Sequence, residues 1–158
     1  MKIHQEGAAL RPYMTVLVTG AAGFIGAHVV HQLLADGENV RATVRKRENA
    51  QFLTTFSMPD DASLEIVTMD LLEQASVDKA VQGCSVVIHC AAALMVGVKN
   101  PLLEVVNPSV RGTENLCAAI KKSGSVKTII HTSSVAAIRR TRHQNGHVFS
   151  SADWCDDA

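Results

Sequence analysis

Residues 15–26 read TVLVTGAAGFIG, and this stretch decides the fold. The apolar, β-branched run Thr15–Thr19 predicts a strand that ends at Gly20, and apolar residues from Phe24 to Leu34 then recur at helical spacing. A G-x-x-G-x-x-G loop between a strand and a helix brings backbone N–H groups and the positive end of a helix dipole to one point. That arrangement suits the pyrophosphate of a dinucleotide. A Walker A loop is excluded, because no G-K-[ST] follows.

Strand and helix patterns alternate about five times along the chain. The alternation predicts right-handed βαβ crossovers and an α/β fold, a doubly wound parallel (Rossmann) sheet of about five strands. Pro108 lies inside the last predicted helix and should kink it. Such sheets bind ligands at the carboxyl ends of their strands. The further predicted strands are 39–45, 63–69, 86–90 and 126–132, and the further helices are 48–56, 73–81 and 101–122.

Composition excludes several classes of protein. The 158 residues amount to one ordinary domain, and 15 basic residues balance 15 acidic ones. That balance speaks against nucleic-acid binding through bulk positive charge, and an aromatic content of 4 % speaks against a base-stacking surface. No apolar run approaches the roughly 18 residues of a membrane span, and Met1–Leu10 shows no signal-peptide core. We therefore expect a cytoplasmic protein with neither nucleic-acid nor membrane partners.

The cysteines and histidines predict no metal site. Cys84, Cys90, Cys117 and Cys155 form no C-x-x-C pair, and the histidines are scattered. We interpret the four thiols as buried or incidental groups in a reducing compartment.

The residues that follow the second and third predicted strands indicate which dinucleotide is bound. An NAD site usually places a carboxylate after the second strand, whereas this chain has Arg45, Lys46 and Arg47. A guanidinium binds a 2′-phosphate that a carboxylate would repel, so NADP(H) is expected in preference to NAD. Lys46 and Arg47 also fit a solvated charge cluster. Asp70 has two open roles, as acceptor for an adenine amino group or as a helix N-cap.

Six segments taken together resemble the extended short-chain dehydrogenase/reductase family of the NAD-dependent epimerase/dehydratase superfamily. More narrowly, they resemble the N-terminal portion of its dihydroflavonol reductase and cinnamoyl-CoA reductase branch. The resemblance covers about residues 14–158. The segments are VTGAAGFIG (18–26), VRATVR (40–45), MDL (69–71), HCAA (89–92), NPSVRGTENL (107–116) and HTSSVAA (131–137).

The resemblance implies hydride transfer between NADP(H) and a carbonyl or alcohol carbon of a small molecule. It makes Ser134 the catalytic serine, whose hydroxyl stabilises charge developing on the substrate oxygen. It places the cofactor against Gly20, Ala22, Gly23, Phe24, Ile25, Gly26, Arg45, Asp70, Leu71, Ala91, Ala92, Thr132 and Ser133.

The chain departs from the family pattern in ways that qualify this expectation. The family's general acid lies in a Tyr-x-x-x-Lys motif, but the single tyrosine here is Tyr13 and no lysine follows Lys127. By comparison with the family, we therefore expect residues 14–158 to be an incomplete NADP-binding domain, truncated after about its fifth strand, without its substrate domain and inactive alone. Residues 1–13 have no family counterpart, and a misassigned start or a leader would explain them.

Three other functions remain open on the sequence alone. The chain fits a non-catalytic NADP(H)-binding sensor or regulatory module. It also fits a fragment of a sugar-nucleotide epimerase or dehydratase, although Asn107-Pro108 and Ser109 fit the reductase branch better. The third is a degenerate product that folds poorly, because an apolar fifth strand left at the sheet edge invites aggregation. Substrate and oligomeric state are left open.

Overall fold

The computed structural model describes residues 14–93, 97–139 and 146–155, and its centre is a five-stranded parallel sheet. The strands are β1 (Thr15–Thr19), β2 (Asn39–Val44), β3 (Ser63–Thr68), β4 (Cys84–His89) and β5 (Thr128–His131), in the order β3-β2-β1-β4-β5. All four strand pairs are parallel. The helices are α1 (Phe24–Ala35), α2 (Gln74–Val81) and α3 (Asn107–Ser123). The predicted doubly wound α/β fold is confirmed.

Strand β1 lies at the centre and buries both of its faces. Val16 and Val18 pack with Val30 of α1 in one core cluster. Leu17 points the other way and packs with Leu116 of α3 in the second cluster. Because successive side chains of a strand alternate between faces, a strand covered on both sides reads as a continuous apolar run. The order of strands reverses between β1 and β4, and ligands of such sheets bind at that switch point.

Two predicted helices differ from expectation in their helix type. The predicted helix 48–56 is a 3₁₀-helix, Arg47–Thr55. The predicted helix 101–122 is helical throughout, but its first part is a π-helical stretch, Leu102–Val106, that continues directly into α3, and Pro108 lies in the first turn of α3. A proline has no N–H for an intrahelical bond but is tolerated in a first turn. Pro108 therefore lies where the π-helical stretch gives way to α-helix.

The edge of the sheet at β5 is apolar and uncovered. All four residues of β5 are exposed, and Ile129 and Ile130 retain 46 % and 51 % of their accessible surface. These neighbours point to opposite faces of the sheet, so both faces are open at this strand. The apolar edge expected at the fifth strand is therefore present.

The four cysteines are free thiols in differing surroundings. Cys84 is buried, Cys90 and Cys155 are half-buried, and Cys117 is exposed. Across residues 14–93, 97–139 and 146–155, no cluster of three or more His, Cys, Asp or Glu side chains is placed to hold a metal ion. No helix in these ranges has the length and apolar character needed to cross a membrane.

Candidate functional site

A cleft of about 590 Å³ opens at the carboxyl ends of the strands. It is lined by residues that follow β1, β2, β3, β4 and β5, together with the start of α3. The structure brings most of the predicted site residues to this cleft, namely Gly20, Ala22, Gly23, Arg45, Asp70, Leu71, Ala91, Ala92 and Thr132. The predicted residues that do not line it are Phe24, Ile25, Gly26, Ser133 and Ser134.

The glycine loop is compact because two of its glycines have no space for a side chain. Gly20 has a φ of +67°, and a Cβ atom there would lie 2.9 Å from the backbone N and Cα of Ala91. A Cβ on Gly26 would lie 2.2 Å from the Gly20 carbonyl oxygen. Gly26 therefore does not face the cleft but lets α1 pack directly against the loop. Phe24 and Ile25 do not line the cleft, and both are exposed, Phe24 at 83 %.

The cationic residues after β2 divide between the cleft and the outer surface. Arg45 and Lys46 line the cleft, and so does Asn49. Arg47 instead donates from Nη1 to the Ile66 carbonyl oxygen of β3 at 2.9 Å. The cleft wall at β2 thus carries two cations that suit a phosphate group, whereas Arg47 belongs to the exposed surface.

Asp70 does not cap a helix, and this alternative is wrong. Helix α2 begins at Gln74, and its capping residue, Glu73, makes no side-chain cap bond. Asp70 Oδ1 accepts a hydrogen bond from the backbone N–H of Leu72 at 2.9 Å, so the carboxylate closes a local turn at the cleft wall. Ser76 Oγ accepts from the Asp70 N–H at 3.1 Å and donates to the Asp70 carbonyl oxygen at 2.8 Å.

A buried hydroxyl and imidazole link β1 to β4 at the bottom of the cleft. Thr19 is fully buried, and its Oγ1 lies 2.6 Å from Nδ1 of His89, which is 3 % exposed. The same Oγ1 accepts the N–H of Ala91 at 3.2 Å. The His89 ring stacks on His131 of β5, with ring centroids 5.1 Å apart. Burial, and to a smaller extent the neighbouring His131, lower the pKa of His89 to about 4. His89 is therefore neutral at pH 7.

Ser134 is the N-cap residue of a short 3₁₀-helix that follows β5. It is exposed, and its Oγ accepts the N–H of Ala136 at 3.2 Å at the start of the 3₁₀-helix Val135–Ala137. Thr132 alone of the three hydroxyl residues after β5 lines the cleft, and its Oγ1 lies 3.5 Å from Cys90 Sγ. The catalytic role expected for Ser134 stays a prediction.

Sequence reasoning missed several residues of the cleft. Most are sequence neighbours of predicted ones, and Ser109 and Thr113 lie one helical turn apart on α3. The segment NPSVRGTENL (107–116), which carries part of the family resemblance, was the signal that pointed to the start of α3. The missed residues are Thr43, Val44, Asn49, Met69, Leu72, His89, Cys90, Ala93, Pro108, Ser109, Thr113 and His131.

The low pKa of His89 predicts a loss of stability in acid. The unfolded chain binds a proton near pH 6.5 while the folded chain binds it only near pH 4, so unfolding is favoured progressively as the pH falls between these values. We expect the free energy of unfolding to be about 2 kcal/mol lower at pH 4.5 than at pH 7.5. This is less than the whole shift in the His89 pKa would give, because water at the cleft screens the charge. Urea unfolding at the two pH values measures it.

The control for this prediction is a pair of single substitutions. H89N removes the buried imidazole. The drop in its free energy of unfolding between pH 7.5 and pH 4.5 should be about 2 kcal/mol smaller than in wild type. H31N replaces an exposed histidine on α1 and should keep the wild-type dependence. Equal pH dependence in wild type and H89N would contradict the prediction.

The strand order and the glycine loop define a Rossmann-type dinucleotide-binding fold. Residues 16–150 match the NAD dependent epimerase/dehydratase family, and the chain belongs to this family. The resemblance found in the sequence is thereby confirmed.

Known reductases resemble this chain in sequence. It is 35 % identical over 144 residues to the bifunctional dihydroflavonol 4-reductase/flavanone 4-reductase of Malus domestica, an alignment that covers 90 % of this chain and 41 % of that protein. It is 38 % identical over 146 residues to cinnamoyl-CoA reductase CAD2 of Medicago truncatula, with 90 % and 45 % covered. The chain thus spans less than half the length of these relatives.

Solved structures resemble it as well. Gre2 of Candida albicans in complex with NADPH has a TM-score of 0.78 at 34 % identity, covering 90 % of this chain and 44 % of that one. The yeast methylglyoxal/isovaleraldehyde reductase Gre2 complexed with NADPH has a TM-score of 0.78 at 29 % identity, with the same coverage.

Proposed function

We propose that residues 14–158 form the NADP(H)-binding part of an oxidoreductase that transfers hydride between the cofactor and a carbonyl or alcohol carbon of a small molecule. The observation that carries the proposal is one cleft that joins the glycine loop after β1 to Arg45 and Lys46 after β2. The first element suits a pyrophosphate and the second suits a 2′-phosphate. The names of the relatives, which are reductases, and the two structures with NADPH support it.

The residues of the cleft fit this cofactor at several points. The loop backbone approaches so closely that a Cβ on Gly20 would fill the space in front of Ala91. We assign the 2′-phosphate to Arg45 and Lys46 and the adenine to the wall formed by Asp70 and Leu71, since all four residues line the cleft. In the proposal, Ala91, Ala92 and Thr132 contact the nicotinamide ribose and ring. When bound, NADPH supplies the hydride, and the protein orients it and excludes water from one side.

A non-catalytic NADP(H)-binding module is a second candidate. It is favoured by one observation, that Ser134 is exposed, lies outside the cleft lining and already accepts the Ala136 N–H. Both candidates require the same cofactor site. They differ in turnover, which is a separate measurement.

Arg45 offers a test of the cofactor site. Wild type should bind NADPH more tightly than NADH, and R45A should weaken NADPH binding about 10- to 100-fold while leaving NADH nearly unchanged, because only NADPH carries the 2′-phosphate. Titration calorimetry or cofactor fluorescence measures both affinities.

Arg47→Ala is the matched control, since Arg47 donates to Ile66 rather than into the cleft. It should keep the wild-type preference for NADPH. Equal affinity of wild type for the two cofactors would refute the assignment of Arg45, and absence of binding would refute the proposed function.

A further inference from the structure

The segment Asp70–Leu72 forms one wall of the cleft without belonging to a strand or a helix. β3 ends at Thr68 and α2 begins at Gln74, while all three wall residues line the cleft. A loop that shapes a binding site must be held in place by contacts outside itself. The wall is anchored locally by Ser76, as described above, and a second set of contacts comes from α3.

Helix α3 meets the wall at two positions on one face. Asn115 Nδ2 donates a hydrogen bond to the Leu71 carbonyl oxygen at 2.8 Å. Gly112, one turn earlier, lies so close that a Cβ there would be 3.0 Å from Leu71 Cβ. Residues three apart lie on the same face of a helix, so the two contacts act together. The amide fixes the Leu71–Leu72 peptide, and the glycine fixes how near the Leu71 side chain lies to α3.

Asn115 is itself fixed relative to α2. Its backbone carbonyl accepts from Gln74 Nε2 at 3.1 Å, and the same Gln74 amide donates to Asp78 Oδ1 at 2.7 Å. Asp78 also pairs with Lys122 of α3. The hydrogen bonds from Lys122 and Gln74 lower the pKa of the Asp78 carboxyl below its ordinary value. Hydrogen bonds and an ion pair thus hold α2 and α3 together around Asn115, and its side chain extends from α3 to the wall.

We propose that Asn115 is a positioning residue for the adenine half of the cofactor, acting through the Leu71 carbonyl. This inference rests on the proposed function, since it assigns a role within the NADP(H) site. Asn115 touches the wall from behind and is not one of the residues that line the cleft. Loss of its amide leaves the wall without the α3 bond, and the effect falls on the adenine end of the site alone.

Two fragments of the cofactor separate the ends of the site. Adenosine 2′,5′-bisphosphate probes the adenine end, and reduced nicotinamide mononucleotide probes the other end. N115A and N115D should weaken binding of the bisphosphate about five- to tenfold and leave the mononucleotide unchanged, because neither variant can donate to the Leu71 carbonyl. N115Q keeps an amide donor and should recover part of the affinity, and it covers the case in which the other two variants fail to fold.

The matched control is N39A, which makes the same chemical change at the start of β2, outside the cleft, where Asn39 Oδ1 accepts from Ser63 Oγ at 2.6 Å. It should bind both fragments within about twofold of wild type. If N115A loses equal affinity for both fragments, or loses no affinity for the bisphosphate, the role proposed for Asn115 is overturned. If wild type binds neither fragment nor NADPH, the proposed function itself fails and this inference falls with it.

Discussion

Gly26→Ala is expected to abolish measurable NADPH binding, with a loss of at least about 100-fold, and to lower the free energy of unfolding by about 3 kcal/mol. The added Cβ would lie 2.2 Å from the Gly20 carbonyl oxygen and 2.8 Å from the Gly20 carbonyl carbon. Both are backbone atoms of the loop, so no side chain can move aside to relieve the contact. The start of α1 must then separate from the loop that is proposed to hold the pyrophosphate.

Gly83→Ala is the matched control, because it makes the same chemical change in a turn before β4. Gly83 has a φ of +76°, and nothing lies within 4 Å of the point that an added Cβ would occupy. Backbone strain alone should cost about 1 kcal/mol, and NADPH affinity should not change. Urea unfolding and cofactor fluorescence measure the two quantities. A Gly26→Ala protein that binds NADPH within about threefold of wild type would show that the loop is not the pyrophosphate site.

The strands and the glycine loop could be predicted from sequence because their signals are local. Thr15–Thr19 is a strand in the structure as predicted, since a strand buried on both faces needs apolar residues at consecutive positions. α1 is followed by a left-handed Gly37 with a φ of +81°, and a glycine just past the last helical residue is a local stop signal. Arg45 could be placed at the cleft because it directly follows a strand whose carboxyl end must face the ligand.

The contacts that shape the cleft could not be predicted, because they join residues distant in the chain. Thr19 and His89 are 70 positions apart, and Leu71 and Asn115 are 44 apart. No periodicity or local propensity records such pairs, which depend on how strands and helices pack. His89 is one residue of an apolar strand pattern, and nothing in the run VVIHC indicates that its ring is buried and stacked on His131.

Competition between hydrogen-bond partners explains the remaining differences. Asp is a frequent helix cap, which makes that role reasonable for Asp70 from sequence, yet its carboxylate bonds two residues ahead to Leu72. The pattern before Pro108 predicts an α-helix, and the stretch is π-helical where proline removes a backbone donor. In both cases the local sequence allows two hydrogen-bond patterns, and the structure has the one that the sequence pattern did not favour.

The 158-residue chain is expected to bind NADPH without oxidising it when a carbonyl compound is added. Hydride transfer leaves negative charge on the substrate oxygen, and a positioned acid must protonate it. The chain contains no Tyr-x-x-x-Lys, and Lys127, its last lysine, donates to the Gly124 carbonyl oxygen. Because catalytic groups act as a unit, we expect a rate at least about 10⁴-fold below that of a complete reductase.

The rate of NADPH oxidation is measured by the loss of NADPH absorbance, with enough protein to bind all of the cofactor and with methylglyoxal and isovaleraldehyde as probe carbonyls. The rate should equal that of NADPH and aldehyde in buffer. S134A and H131F are the informative variants, since Ser134 is the predicted catalytic serine and His131 is an imidazole that lines the cleft. A rate above buffer that either substitution removes would show that the chain carries its own catalytic group, whereas binding without turnover supports a cofactor-binding part whose acid must come from elsewhere.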